Sequence, residues 1–362
     1  MNNFMTRRTA SALAAIIPLT LLTAACGSEN EDPEITVPTN PTTAKRGYPL
    51  HPIKKGMTIA FVPKQLGGSL YFAAASEGGK GVVEKLGSTF KEVGTPDSTD
   101  TAGQVKYIHQ LTDEGVDAIV VSAQDPDALC GALKHAMDKG IPVVTYDSDT
   151  RPECRNAFVS PADPDELTFP LVQSMAEQID YKGDIAILSA SKSATNQNNW
   201  IKYMKEELDT DPGYTDIKLV AVAYGDDNAD KSYQLTGSLL KKYPNLKAII
   251  APTSVGINAA AQYLSRSPFK SKVKLTGLGT PNGMREYVKD GTVESFQLWD
   301  PIELGKLAAW TAESLASGRI TGREGQGLSA MDGQFYVLGT NGVINLGDPT
   351  VFTIKNIDKY NF

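Results

Sequence analysis

The residues able to do chemistry cluster where short apolar runs end. Lys64 follows the run at 58–62, and Asp147, Ser148 and Asp149 follow that at 142–146. Thr195, Asn196, Gln197 and Asn198 come a short loop after 184–189; Thr253 and Ser254 follow 248–251 and Pro252. Thr280 and Asn282 follow 272–277, and Trp299 and Asp300 follow 295–298. Carboxylates and amides engage neighbouring hydroxyls through paired hydrogen bonds, and a buried lysine donates without accepting. Phe72 or Trp299 could cover the apolar face of a ring. The inventory suits a polyhydroxylated ligand, although each residue alone has a plainer reading as a helix cap, a turn or core.

Signals for catalysis are missing from the same sequence. His51, His109 and His135 have no metal-ligand neighbour at usable spacing, so no metal is expected. No nucleophile elbow, Ser-x-x-Lys set or phosphate loop is present. The Gly277-Leu278-Gly279-Thr280-Pro281-Asn282-Gly283 segment is glycine-rich, but its spacing is not the dinucleotide fingerprint. Asp147 and Asp149 could imitate a glycosidase pair, yet both come from one short loop. A non-enzyme without catalytic residues or cofactor is expected.

These residues need a frame. From Met57 onward, apolar runs at 58–62, 118–122, 142–146, 184–189, 218–223, 248–251, 272–277 and 295–298 read as strands. Most are continuous rather than alternating, as expected of parallel strands covered on both faces. Amphipathic stretches at 103–114, 126–139, 165–178, 198–208 and 230–243 read as helices between them. Such alternation predicts an α/β protein with doubly wound parallel sheets. The segment Gly115–Ser122 parallels Pro244–Ala251, which favours two similar units over one wide sheet. In open α/β sheets ligands sit at the carboxyl ends of the strands, where the polar residues above lie.

The N-terminus has a different character. Arg7 and Arg8 precede an uncharged small or apolar stretch at 10–25, the pattern of a secretory signal too short to span a membrane as a normal helix. Ala24-Ala25-Cys26 resembles the lipobox of bacterial lipoproteins, which implies a lipidated Cys26 and a signal at 1–25. Residues 26–56, with Pro33, Pro38, Pro41, Pro49 and Pro52 among polar residues, read as a flexible tether. The membrane would then be touched through the lipid alone, with the protein exported to the outer face of the cytoplasmic membrane. Cys130 and Cys154 are either a disulfide or two buried thiols. The 362 residues suffice for two cores. A net charge of −7 without a basic cluster argues against nucleic acid.

From about Lys55 to Phe362 the chain resembles the type I periplasmic sugar-binding proteins of ABC importers, in the branch of rhamnose-binding proteins and autoinducer-2 receptors. The motifs are Ile59-Ala60-Phe61-Val62-Pro63-Lys64, Tyr146-Asp147-Ser148-Asp149, Thr195-Asn196-Gln197-Asn198-Asn199-Trp200, Thr280-Pro281-Asn282-Gly283-Met284-Arg285, Leu298-Trp299-Asp300-Pro301 and the ending Asn356–Phe362.

The resemblance implies two lobes joined by a hinge of three crossings, placed near Arg155, Gly279 and Gly325. One lobe would hold 57–155 plus 280–325, the other 156–279 plus 326–362. It implies ligand contacts at Lys64, an aspartate of the Asp147/Asp149 pair, Asn196, Gln197, Pro252 and Ser254, and it favours the Cys130–Cys154 disulfide. Autoinducer-2 receptors usually carry an acid where this chain has Asn196 and a small apolar residue where it has Ser254; both positions look more like the rhamnose binders. The implied function is a monomeric substrate-binding lipoprotein delivering a rhamnose-like sugar or an autoinducer-2-like furanose to an ABC permease. A second reading is a receptor presenting the ligand to a membrane signalling protein.

Overall fold

The computed structural model describes residues 51–362. The signal segment, Cys26 and the tether up to residue 50 lie outside the described residues. The tether's last residues do not fit the expectation of a free linker. Ile53 packs against the core, and the Lys54 backbone N–H donates to Ser317 Oγ at 2.9 Å. An apolar side chain and a paired backbone suffice to bind this stretch to the body.

In chain order the first elements are β1 (Thr58–Val62), α1 (Leu70–Lys85), β2 (Thr89–Glu92), α2 (Thr101–Glu114), β3 (Ala118–Val121), α3 (Cys130–Asp138), β4 (Val143–Tyr146) and β5 (Ala157–Ser160). Then come α4 (Pro164–Gln178), β6 (Gly183–Ser189), α5 (Thr195–Thr210), β7 (Ile217–Tyr224), α6 (Ala229–Lys242), β8 (Leu246–Ala251), α7 (Ser254–Ser265) and β9 (Lys274–Gly277). Last are α8 (Pro281–Lys289), β10 (Ser295–Leu298), α9 (Pro301–Ala316), β11 (Gly327–Ser329), β12 (Phe335–Val337), β13 (Val343–Asn345) and β14 (Thr350–Thr353).

Ten of the strands form two parallel sheets, ordered β13-β5-β4-β3-β1-β2 and β7-β6-β8-β9, and β11 pairs antiparallel with β12. Strand β3, Ala-Ile-Val-Val, is buried at every position, as a strand with helices on both faces requires. Strand β10 adjoins the second sheet through a Leu278–Gln297 bridge and pairs antiparallel with β14.

The chain changes sheets later than the expected crossings. β5 and β13 both belong to the first sheet, although the resemblance places 156–279 and 326–362 in the other lobe. Conversely β10 sits with the second sheet, and α8, bound through Asn258 Nδ2 to Gly283 O at 2.6 Å, goes with it. The changeovers therefore follow Ser160, Leu298 and Asn345. Strands this short acquire their identity from the neighbour they pair with, which is remote in sequence.

Helix α9 returns to the first sheet and lies directly on α1. A Cβ on Gly78 would stand 2.1 Å from Ile302 O, and one on Gly305 would stand 1.8 Å from Ala75 O. Only glycine at both positions allows the backbones to approach so closely. That contact fixes the start of α1, carrying Tyr71 and Phe72, against the start of α9, which follows Trp299. The Cys130–Cys154 disulfide, with Cα atoms 5.2 Å apart, ties α3 to the segment between β4 and β5.

Candidate functional site

The carboxyl ends of the two sheets face each other across a cavity of about 440 Å³, counted with its open mouth. The first sheet contributes Lys64, after β1, and Asp147, after β4. From the second come Asn196 and Gln197 in the first turn of α5, Asp227 after β7, Pro252 and Thr253 after β8, and Ser254 at the start of α7. Tyr71, Phe72, Trp200 and Trp299 supply aromatic walls.

Asp147 is the centre of this arrangement. It is buried and holds a left-handed backbone at φ 61°, a conformation costing an L-residue about 1–2 kcal/mol, though Asp tolerates it better than most. Its Oδ2 accepts from Lys64 Nζ at 3.4 Å and Ser122 Oγ at 3.0 Å. Its Oδ1 accepts from Tyr71 Oη at 3.0 Å and Asn196 Nδ2 at 3.3 Å. Lys64 is itself only 3% exposed and pairs with the Asp147 carboxylate in place of water. Burial first, then the Asp147 charge, pushes the Tyr71 phenol well above its ordinary value and keeps it a donor.

On the opposite side, Gln197 Oε1 accepts from Ser189 Oγ and from the Ala190 N–H, each at 2.7 Å, which aligns the amide along β6. Asp227 accepts from the Thr253 hydroxyl. Burial raises its pKa, and the Lys64 charge works against that rise. Trp200 and Trp299 stand 5.8 Å apart, and Tyr71 meets Phe72 edge-on at 5.1 Å. Polar groups converge on an aromatic wall, a combination that can hold both the hydroxyls and the apolar face of a small ring.

Several of the strand-end residues lie elsewhere, Asp149, Asn282 and Asp300 among them. Asp149 is turned away, clamped by Arg155 through Nε to Oδ1 at 2.6 Å and Nη2 to Oδ2 at 2.7 Å. Asn282, in α8, accepts from Arg285 Nη1 at 2.8 Å, and its backbone N–H donates to Phe362 O. Asp300 caps α9, accepting from the Ile302 N–H at 2.8 Å. Asp, Asn and Thr at a strand end serve the next helix as readily as they serve a ligand. Conversely, Tyr71, Trp200 and Asp227 line the cavity without standing out in the sequence as ligand contacts. Asp227 lies in Gly225-Asp226-Asp227-Asn228, which reads as a turn.

The two sides also touch directly. Ser98 Oγ donates to Asp226 O at 2.7 Å, Ser193 Oγ to Gln124 O at 2.9 Å, and Thr195 Oγ1 to Asp149 O at 3.1 Å. Among the described residues no group of three or more His, Cys, Asp or Glu could hold a metal ion, and no helix is long and apolar enough to cross a membrane.

Comparison with known proteins gives a consistent result. A family model described as a periplasmic binding protein domain matches residues 59–320. The crystal structure of a sugar ABC transporter from Actinomyces odontolyticus is 41% identical, covers 84% of this chain and 98% of its own, and has a TM-score of 0.69. An ABC transporter solute-binding protein from Clostridium phytofermentas, with bound L-rhamnose, is 36% identical over 84% of this chain and 98% of its own, at a TM-score of 0.81. LsrB from Clostridium saccharobutylicum, in complex with AI-2, is 25% identical over 84% of this chain and 100% of its own, at 0.79.

Proposed function

The chain belongs to the periplasmic binding protein family, and from that premise we propose that it captures a small neutral sugar and delivers it to an ABC permease. The observation that carries this reading is the cavity, whose polar groups come from the ends of both sheets around aromatic walls. A ligand touching Lys64 on one side and Gln197 and Ser254 on the other makes its full set of contacts only when the sides are together. Such a ligand shifts the population toward the closed form, which the permease then distinguishes from the open one. Closure is a motion of two lobes about the changeovers at residues 160, 298 and 345.

A rhamnose-like sugar is the ligand best supported, because the relative with bound L-rhamnose is 36% identical and Asn196 and Ser254 lie on the cavity wall. A lipid on Cys26 would keep the protein beside the permease, as a monomer at the outer face of the membrane.

Thermal unfolding of residues 27–362 with L-rhamnose, autoinducer-2, D-ribose and D-xylose tests the reading. A sugar binding only the folded state stabilises it by about 2.7 kcal/mol at a hundredfold excess over Kd. The expected result is a rise with one sugar that is lost in a folded Gln197→Ala protein. No rise with any of them would sink the sugar assignment.

A further inference from the structure

The two carboxylates of the cavity differ in how much hydrogen-bonding capacity the protein itself uses. An ionised carboxylate offers about four acceptor positions. Asp147 receives four protein donors, two on each oxygen: Lys64, Ser122, Tyr71 and Asn196. Asp227 receives one side-chain donor, the Thr253 hydroxyl on Oδ1. It lines the same cavity from the opposite sheet, close enough for the Lys64 charge to act on it.

The backbone around Asp227 is also built to a purpose. Asp226 and Asp227 both hold left-handed conformations, at φ 55° and 47°. Consecutive non-glycine residues in that region persist only where the surroundings enforce them, and such strain gathers at functional sites. Here the enforcement is visible: the Asp226 carbonyl accepts from Ser98 across the cleft and Thr253 holds Asp227, while the Asp226 carboxylate faces outward to Lys231. The turn delivers one carboxylate outward to a lysine and the next inward to the cavity.

Resting on the sugar-binding reading above, we propose that Asp227 is the carboxylate that reads the ligand, accepting hydrogen bonds from one hydroxyl or an adjacent pair on the sugar. Asp147 is a positioning residue that orients Lys64, Tyr71 and Asn196. The acid on which recognition turns then belongs to the second sheet, and the first sheet answers with the Lys64 ammonium. Because that carboxylate enters from the second sheet, loss of its contact weakens the ligand's hold on one lobe only, and so weakens closure together with affinity.

Isothermal titration of L-rhamnose and its 2-, 3- and 4-deoxy analogues into the wild type and the Asp227→Asn, Asp147→Asn and Asp226→Asn variants tests this. Asn accepts the left-handed backbone, so D227N keeps the turn, and unfolding transitions confirm that each protein is folded. D227N should weaken L-rhamnose binding by about tenfold or more, the effect of losing a charge-assisted hydrogen bond. D226N should stay within about threefold, as expected of an exposed ion pair. At least one deoxy analogue should bind poorly to the wild type yet lose little more in D227N, and none should show that coupling with D147N. Undiminished binding by D227N, or coupling that appears with D147N instead, overturns the assignment. If the wild type binds none of L-rhamnose, autoinducer-2, D-ribose and D-xylose, the sugar reading itself has failed, an outcome visible before any variant is made.

Discussion

Trp299 donates its indole N–H to the Tyr71 hydroxyl at 3.0 Å, and that hydroxyl donates in turn to Asp147 at 3.0 Å. Trp299 follows β10, beside the second sheet, while Tyr71 lies in the first turn of α1 on the first. This short chain of hydrogen bonds therefore spans a changeover between sheets and ends on the buried carboxylate that holds Lys64.

Tyr71→Phe should break it at both ends. The Trp299 N–H would lose its acceptor and Asp147 one of its donors, each in a buried setting. Leaving a buried polar group unpaired costs about 1–3 kcal/mol. The expected result is a lower urea midpoint with an unchanged slope, and weaker sugar binding because Lys64 loses its orientation. A midpoint equal to that of the wild type would mean that water replaces the hydroxyl without loss.

The Asp149–Arg155 pair predicts a different kind of loss. The Arg155 side chain is 2% exposed and also donates through Nη1 to Asn341 O at 2.6 Å, so it ties the loop after β4 to the segment before β13. Arg155→Met leaves a carboxylate without its counter-charge and should cost about 3–5 kcal/mol. In Asp149→Leu/Arg155→Met the charge is gone with its partner, and most of that stability should return. A double-mutant cycle by denaturant unfolding measures the coupling. Additive losses would show that the pair does not act as a unit.

Much of this architecture is legible in the residues, and each part that is not has its own physical cause. Strands such as Ala118–Val121 and Val143–Tyr146 announce themselves because continuous Val and Ile runs suit a strand covered on both faces. Lys64 and Asp147 stand at strand ends because the sheet places them there, and Gln197 enters the cavity from the first turn of the helix that follows β6. Asn282 and Asp300 satisfy the same rule but cap or brace helices, and nothing in residue type separates the two uses. Asp227 was hidden for the opposite reason: a Gly-Asp-Asp-Asn sequence looks like a turn, and it is one, but which aspartate faces the cavity depends on two left-handed residues. Val343–Asn345 is too short to signal that it pairs with β5, about half the chain length away in sequence.

Glu313 supplies a pH prediction unconnected with ligand. It lies on α9, fully buried, with neither carboxylate oxygen hydrogen-bonded, near the Ser88 hydroxyl and the Asp117 carboxylate. Burial, reinforced by the Asp117 charge, raises its pKa from 4.5 to about 7. The folded protein therefore holds this proton more tightly than the unfolded chain does. The resulting stability is fully present below pH 4.5 and is lost as pH rises through about 7, to a limit of roughly 3 kcal/mol. Glu207, also raised to about 7 by burial, contributes with the same sign, so the wild-type profile alone does not isolate Glu313. The difference between Glu313→Gln and wild type does. It should be positive in unfolding free energy at pH 8 and should shrink steadily toward pH 5, because Gln cannot acquire the charge that the buried site rejects. A difference that stays constant across that range would mean Glu313 does not change protonation on folding, and that its cost is purely one of unpaired polar atoms.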